Sequence, residues 1–283
     1  MLQFRALGPL EVVCGDRVCT PTASKPRQVL ALLMLCANRV VNIELMIEEL
    51  WGMHPPRSAV ATTQTYIYQL RNIIARERPC QRGADLVTRP SGYVLAVDPD
   101  QVDAFVFQRL VGYGRRQLES ENLVEAAGVL RQALDMWRGP VLADVVQESI
   151  LGAHTVPLEE LRLRTLELRI QADLRLGLHR ELIGELRSLI AAHPLNEWFY
   201  EQLITALGRS GRRSEALQVY RNLRQTLREE LGLDPSPELQ QLQHEVLNGF
   251  PGRVPDANVG IVMNDMYPAA VGAPAGRPVH SVA

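Results

Sequence analysis

Residues 62–71 read TTQTYIYQLR, and the structure of this stretch decides the fold of the first part of the chain. Its β-branched and aromatic residues favour a strand. A strand, however, would leave no consistently apolar face, whereas apolar or tolerated residues recur here every three or four positions, which is typical of one face of a helix. We therefore predict a helix that begins near Arg57. The predicted inner face consists of Val60, Thr63, Ile67, Leu70 and Ile74.

Two more helices are predicted upstream of this one. Ser24 is a candidate N-cap for the first, with Pro26 in its first turn, and Asn38 closes it. Asn42 is a candidate N-cap for the second, which runs over residues 43–51 and ends at a glycine. Three short helices in this order are typical of a helix-turn-helix domain.

Strand-like segments flank the three helices. Residues 2–7, 11–14 and 17–20 are separated by turns that contain Gly and Asp, which predicts a small antiparallel sheet. After the third helix, residues 86–97 predict a hairpin whose turn is Pro-Ser-Gly, with Arg89 at its tip. We predict that residues 1–97 form a winged helix-turn-helix domain with an added N-terminal sheet.

An internal repeat marks residues 98–249, which are helical in pattern. Gly177 and Gly211 lie 34 residues apart, which is the period of tetratricopeptide helix pairs. A more divergent unit spans residues 125–137, and a plain helical bundle is the alternative. The positions that follow the repeat pattern most closely are Tyr200, Leu203, Leu207, Gly211, Ala216 and Tyr220. The predicted fold class is therefore mainly α with small β-sheets: a winged helix-turn-helix followed by an all-α tetratricopeptide-like domain.

The remaining composition sets limits on the class of protein. Residues 250–283 are rich in Pro, Gly and Ala without periodicity, and we predict that they are disordered. No apolar stretch approaches the ~18 residues of a membrane span, and the N-terminus is a poor signal peptide, so we predict a cytoplasmic protein. The four cysteines show no Cys-x-x-Cys spacing, which favours reduced thiols and no metal site.

Motifs of the common enzyme classes are missing from the sequence. We find no Gly-x-x-x-x-Gly-Lys-Ser/Thr, no Gly-x-Ser-x-Gly, no His-Glu-x-x-His and no Gly-x-Gly-x-x-Gly. The six histidines are scattered along the chain. We predict that the protein is not an enzyme and needs no cofactor.

DNA binding is the function that the third predicted helix favours. Its outer side carries Thr62, Thr65 and Gln69, whose side chains can hydrogen-bond base edges in the major groove, and Asn72 and Arg76 continue the stripe. An arginine at the hairpin tip, Arg89, suits a narrow minor groove. The candidates for the phosphate backbone are Lys25, Arg27, Trp51, Arg57, Tyr66, Tyr68 and Arg71. A solvated polar surface is the alternative for each of them, and core packing is the alternative for Trp51.

Several stretches resemble one known family. LGPLEV, KPRQVLALLMLCANR and TRPSGYVL are similar to the OmpR-type DNA-binding domain of the Streptomyces antibiotic regulatory protein family, and HPLNEWFYEQLITALGRSGRRSEALQVYRNLRQTL is similar to its bacterial transcriptional activation domain. The resemblance covers about residues 2–248. It implies a transcriptional activator of antibiotic or other secondary-metabolite genes that binds direct repeats in double-stranded DNA near the −35 region, as a homodimer on DNA, and recruits RNA polymerase holoenzyme.

The resemblance also implies roles for individual residues. Thr62, Thr65 and Gln69 fall at base-reading positions, while Arg57, Tyr66, Tyr68 and Arg71 fall at backbone positions. Gln69 replaces an arginine that many response regulators carry, and Thr63 replaces the usual leucine, so the half-site and the packing under the helix should both differ. A protein-interaction adaptor built on the same repeats, or a repressor of the same fold, remains an alternative.

Overall fold

The structure, a computed structural model, describes residues 2–76 and 84–249. The predicted disordered tail, residues 250–283, lies outside the described residues, and so does the side chain of Arg76. The chain divides into two compact units, residues 1–184 and 185–283. The domain boundary that we predicted between residues 97 and 98 lies within the first unit and stays a prediction.

The N-terminal segment forms the predicted antiparallel sheet. Its strands are β1 (Leu2–Arg5), β2 (Glu11–Cys14) and β3 (Arg17–Val18), in the order β1-β2-β3. Phe4 pairs with Val12 across the first two strands, and both side chains are buried. One face of this sheet therefore belongs to the core of the first unit.

The three predicted helices follow. They are α1 (Ser24–Leu35), α2 (Ile43–Trp51) and α3 (Ala59–Arg76). The N-cap of α1 is Ala23, not Ser24, and it makes no side-chain cap hydrogen bond. The prediction for Ser24 was wrong by one position, because Ala23 already has the extended backbone of a cap and Ser24 is the first helical residue. Asn42 is the N-cap of α2, as predicted.

The wing is a second three-stranded sheet with the order β4-β6-β5. Its strands are β4 (Val41–Asn42), β5 (Asp85–Arg89) and β6 (Gly92–Ala96). The hairpin of β5 and β6 was predicted, but β4 was not, since two residues are too few to show alternation. Gly92 lies against β4, where an added Cβ would come within 2.0 Å of the Val41 carbonyl oxygen. A side chain at this position would push the wing away from α2.

Three further helices follow in the first unit. A short 3₁₀ helix at Pro99–Gln101 leads to α4 (Asp103–Glu119), which is followed by α5 (Leu123–Asp135) and α6 (Ser149–Arg175). These helices share one apolar core with the winged domain, in which Phe4, Met46, Phe107 and Leu151 take part. The winged domain and α4–α6 thus pack against each other through a continuous apolar core.

A largely buried carboxylate strengthens this packing. Asp103, at the start of α4, accepts hydrogen bonds from the backbone N–H groups of Ala6 at 2.8 Å and Leu7 at 3.0 Å. Burial raises the pKa of Asp103 above its usual value, although both backbone N–H groups and the nearby Arg138 oppose the shift. The loop after β1 is therefore held to α4 by polar as well as apolar contacts.

The remaining helices are α7 (His179–Ala192), α8 (Glu197–Arg209), α9 (Arg213–Leu231) and α10 (Pro237–Asn248). Gly177 and Gly211 each stand two residues after a helix end and have left-handed backbone angles, with φ of 85° and 77°. The next residue donates back into the preceding helix in both cases, from Leu178 N to Asp173 O at 3.0 Å and from Arg212 N to Leu207 O at 2.8 Å. The two corners share one geometry at a distance of 34 residues, as the repeat pattern predicted.

The corner between α4 and α5 has the same geometry without a glycine. Glu121 has a φ of 63°, and Asn122 N donates to Gln117 O at 2.9 Å. A residue with a Cβ is strained in the left-handed region. This corner explains why the unit that we predicted over residues 125–137 looked divergent from the other two.

The cysteines correct one expectation. Cys14 is disulfide-bonded, so the prediction of reduced thiols throughout was wrong. That prediction rested on the compartment, whereas disulfide formation also depends on a close approach that spacing along the chain does not reveal. Within residues 2–76 and 84–249, no helix is long and apolar enough to cross a membrane, and no group of three potential metal ligands occurs.

Candidate nucleic-acid interface

The inner face of α3 fixes this helix to its domain. Thr63, Ile67, Leu70 and Ile74 are buried, as the spacing predicted. Thr63 is tolerated there because its hydroxyl group donates to the Ala59 carbonyl oxygen at 2.8 Å and so leaves no unpaired donor in the core.

One member of the predicted inner face was wrong. Val60 is 50% exposed, and Ala59 is buried in its place. Both residues are compatible with helical spacing, since they lie three and four positions before Thr63. The first turn of α3 takes the smaller side chain into the core and leaves an apolar side chain on the flank of the helix.

The predicted base-reading residues lie on the outer side of α3. Thr65 and Gln69 are exposed, and Thr62 is partly exposed. The Thr65 hydroxyl donates to Ala61 O at 3.0 Å, and the Thr62 hydroxyl lies 3.4 Å from Ser58 Oγ. With the hydroxyl protons directed along the helix, the oxygen atoms remain available as acceptors for the amino groups of bases.

The structure adds residues to this outer face. Ala61, Thr65, Tyr68 and Asn72 follow one another at steps of four, three and four along α3, and Gln64 lies beside them. Tyr68 is 64% exposed, and helical period places it three residues after Thr65 on the same face of the helix. We had predicted it on the flank of the stripe, as a contact to the DNA backbone.

Arg71 joins α3 to the wing. Its Nε–H donates to the Leu86 carbonyl oxygen at 2.8 Å, and Nη2 donates to Thr88 Oγ1 at 2.6 Å. The guanidinium group also lies 5.8 Å from the centre of the Tyr93 ring. Two of its five N–H donors are thus used within the protein. Arg89 lies at the end of β5, opposite Gly92, and is exposed beside the turn that forms the tip of the wing.

The two basic residues of α1 make contacts within the protein. Lys25 Nζ donates to the Leu50 carbonyl oxygen at 2.5 Å and lies 4.8 Å from the centre of the Trp51 ring. The side chain of Arg27 is only 12% exposed, and it forms an ion pair with Asp144. Arg27 therefore helps to hold the winged domain on the loop before α6, whereas Lys25 joins the start of α1 to the end of α2.

Of the other residues predicted to contact the DNA backbone, two are packed against the core and one is exposed. Trp51 and Tyr66 are partly buried and pack against the core of the first unit, which matches the packing alternative for Trp51. Arg57 is exposed in the turn before α3. An exposed polar helix face with an arginine before its first turn and another at a neighbouring wing tip has the shape and charge to enter a DNA groove.

Comparison with known proteins identifies the family of this chain. Residues 102–247 match the family model of the bacterial transcriptional activator domain. Regulatory protein DnrI of Streptomyces peucetius is 44% identical over 255 residues, which are 89% of this chain and 94% of DnrI. Transcriptional regulator RedD of Streptomyces coelicolor is 33% identical over 259 residues, which are 90% of this chain and 73% of RedD.

A solved structure has the same architecture. The structure of Mycobacterium tuberculosis EmbR in complex with a low-affinity phosphopeptide is 32% identical in sequence and superposes with a TM-score of 0.81. The match covers 87% of this chain and 65% of the EmbR chain. The fold is a winged helix-turn-helix followed by helices, the match to DnrI covers nearly the whole length of both proteins, and RedD matches over most of its length. The chain therefore belongs to the Streptomyces antibiotic regulatory protein family of transcriptional regulators.

Proposed function

We propose that the protein activates antibiotic or other secondary-metabolite genes by placing α3 in the major groove of direct repeats near the −35 region and recruiting RNA polymerase holoenzyme. The observation that carries this proposal is the outer face of α3, where polar side chains are exposed on a helix anchored by five buried residues. Such a face has no role in the packing of its own domain. Binding as a homodimer on DNA is part of the proposal.

The structure supports different roles for the residues that we predicted as contacts. Thr62, Thr65 and Gln69 are proposed to meet base edges. Tyr68 joins them because it stands in line with Thr65. Arg57 and Lys25 are proposed to meet phosphates, and Arg89 the minor groove. Arg27, Trp51, Tyr66 and Arg71 are proposed to support these contacts from within the domain.

The turn between α2 and α3 is the proposed contact for polymerase. Met53 is 89% exposed there and is followed by His54, Pro55 and Pro56, which are exposed too. A large apolar side chain held in water by a turn of two prolines is a feature of surfaces that meet another protein. The turn leads directly into α3, so a polymerase bound at the promoter would lie within reach of it.

The proposed chemistry consists of hydrogen bonds and ion pairs. It requires no cofactor and no catalytic group, and we expect neither. Because the proposed target is bacterial chromosomal DNA, we expect the protein at the nucleoid in the cytoplasm. The names of the relatives support regulation of transcription and are silent on the nucleoid.

Binding to promoter DNA as a function of salt tests the proposal. We expect log Kobs to fall linearly with log salt concentration, with a slope of roughly −0.9 for each phosphate contacted. Arg57→Ala should make the slope less negative by about one contact. A flat response would instead favour a protein-interaction adaptor.

Transcription in vitro separates an activator from a repressor of the same fold. A promoter fragment that carries the binding site should yield more transcript when the protein is added to RNA polymerase holoenzyme. Met53→Ser should leave promoter binding unchanged and reduce this increase. A decrease in transcript with the wild-type protein would show a repressor.

A further inference from the structure

Glu49 of α2 reaches the first turn of α6. The residue is 1% exposed. Its Oε1 accepts a hydrogen bond from Glu148 N at 2.7 Å, and its Oε2 accepts from Ile150 N at 3.0 Å and Leu151 N at 2.9 Å. These are among the backbone N–H groups that no residue of α6 itself can pair. The helix-turn-helix thus supplies the N-terminal cap of α6.

Helix α6 does not provide this cap from its own sequence. Its N-cap residue is Glu148, whose side chain makes no cap hydrogen bond, and no acidic residue stands in its first turn. A carboxylate at the positive end of a helix is favourable. Glu49 therefore supplies from α2 the carboxylate that the first turn of α6 lacks, and the contact fixes α2 and α6 relative to each other.

The same turn of α2 also leads to the DNA-facing elements. Leu50, the next residue, accepts the hydrogen bond from Lys25, and the turn after Trp51 leads directly into α3. The residues of α2 that hold α6 therefore lie directly before the turn from which α3 starts. We propose that Glu49 is a positioning residue for DNA binding, which fixes the angle between α3 and α6 and through it the spacing of the half-sites that two copies occupy.

This inference rests on the proposed function, in which the protein binds a direct repeat as a homodimer. It adds that the helical part containing α6 supplies the contacts between the two copies. Two copies lie on one side of the duplex when their half-sites are a whole helical turn apart, about 10–10.5 base pairs. Five additional base pairs rotate the second site by about half a turn. A rigid link between α3 and α6 accepts one of these arrangements, whereas a loosened link accepts both.

Three variants separate positioning from helix capping. Glu49→Gln keeps the size of the side chain but replaces one acceptor oxygen with a donor, which opposes the backbone N–H groups of α6. Glu48→Gln is the matched control, because Glu48 is the exposed neighbour of Glu49 on α2. The double variant Glu49→Gln with Glu148→Ser gives α6 its own N-cap and so restores the cap without the link.

Affinity is measured by fluorescence anisotropy on three duplexes: one half-site, two half-sites at the natural spacing, and two with five added base pairs. We expect the wild-type protein and Glu48→Gln to prefer the natural spacing by about tenfold, a typical coupling between two sites. Glu49→Gln and the double variant should bind the single half-site within about twofold of wild type, because neither changes a side chain of the outer face of α3. Both should lose most of the preference for spacing.

The outcomes that overturn the inference differ from those that overturn the proposed function. Recovery of the spacing preference in the double variant would show that Glu49 is a helix cap and no more. Retention of the preference in Glu49→Gln, or a wild-type protein that binds single half-sites without any spacing preference, would also overturn the inference. A wild-type protein that binds none of the duplexes would overturn the proposed function itself.

Discussion

Nη2 of Arg71 lies 2.6 Å from Oγ1 of Thr88, so α3 and the wing are joined by their own side chains. The same guanidinium group donates to the backbone at Leu86. The tip of the wing, with Arg89, thereby has a set distance from the outer face of α3. Two grooves of one DNA duplex can be contacted together only if that distance is maintained.

We expect Arg71→Ala to lower the free energy of unfolding by about 1–2 kcal/mol, since two hydrogen bonds to a charged group are lost. Specific DNA affinity should fall as well, because the wing is then free to move. Urea unfolding and a binding titration measure the two effects. Thr88→Val, which removes only the hydroxyl group, should cost less in both. If Arg71→Ala changed affinity and left stability intact, Arg71 would be a phosphate contact alone.

Thr65→Ala and Gln69→Ala should each reduce discrimination at one base position by ~1–3 kcal/mol. The physical reason is the loss of a hydrogen bond to one base edge, while the phosphate contacts remain. Affinity for a set of single-base variants of the promoter site measures the effect, with Gln3→Ala, an exposed glutamine of β1, as the control. An equal loss on all sequences would mean that these residues do not read bases.

Val60 gives a test that the sequence alone did not suggest. Its exposed side chain on α3 can meet the methyl group of a thymine. We expect replacement of one thymine by uracil to weaken wild-type binding about fourfold, the effect of one buried methyl group or ~0.8 kcal/mol. Val60→Ala should bind both duplexes with similar affinity. A wild-type protein that is insensitive to uracil at every position would exclude a methyl contact.

Arg89→Ala should weaken binding with little change in the preferred sequence, because a minor-groove arginine responds to groove width and potential. The slope of log Kobs against log salt should become less negative by about 0.9. Arg115→Ala, an exposed arginine of α4, should leave the slope as it is. Selection of binding sites from a random pool measures the preferred sequence, and a new consensus for Arg89→Ala would contradict the position of the wing tip.

Gly211→Ala should lower the free energy of unfolding by ~1–2 kcal/mol, since alanine is strained at a φ of 77°. Gly128 is the matched control, because it lies inside α5 and an added Cβ meets no atom within 4 Å. Gly128→Ala should raise the free energy of unfolding by ~0.4–1 kcal/mol. Chemical denaturation measures both changes. The same sign for the two substitutions would contradict the backbone requirement at the repeat corner.

Local signals in the sequence predicted the helices and most of the strands, whereas contacts between residues far apart in the sequence were not predicted. Helix α2 has the bounds that were predicted because an Asn precedes it and a Gly follows it. The pairing of Arg27 with Asp144 spans 117 positions along the chain, and no local pattern announces such a partner. For this reason, Arg27 was predicted as a phosphate contact although its surroundings are largely protein.

In the candidate site, too, features that depend on local spacing were predicted and features that depend on distant contacts were not. Helical period identified the outer face of α3 and its central residues Thr65 and Gln69, because exposure along a single helix follows from spacing alone. It misplaced Val60, since the choice between Ala59 and Val60 for the core depends on how α3 meets its neighbours. The joint core of the winged domain and α4–α6 could not be predicted from composition, which changes near residue 98 while the packing continues.

Lys25 is the single lysine of the chain, and its amine is held between the Leu50 carbonyl oxygen and the Trp51 ring. Amine-reactive reagents therefore meet one lysine side chain, and its rate of acylation reports on the junction of α1 and α2. Mass spectrometry of the intact chain can follow that rate in free protein and on DNA. A protein otherwise built with arginine thus carries one lysine side chain as a chemical reporter, at the junction that leads into α3.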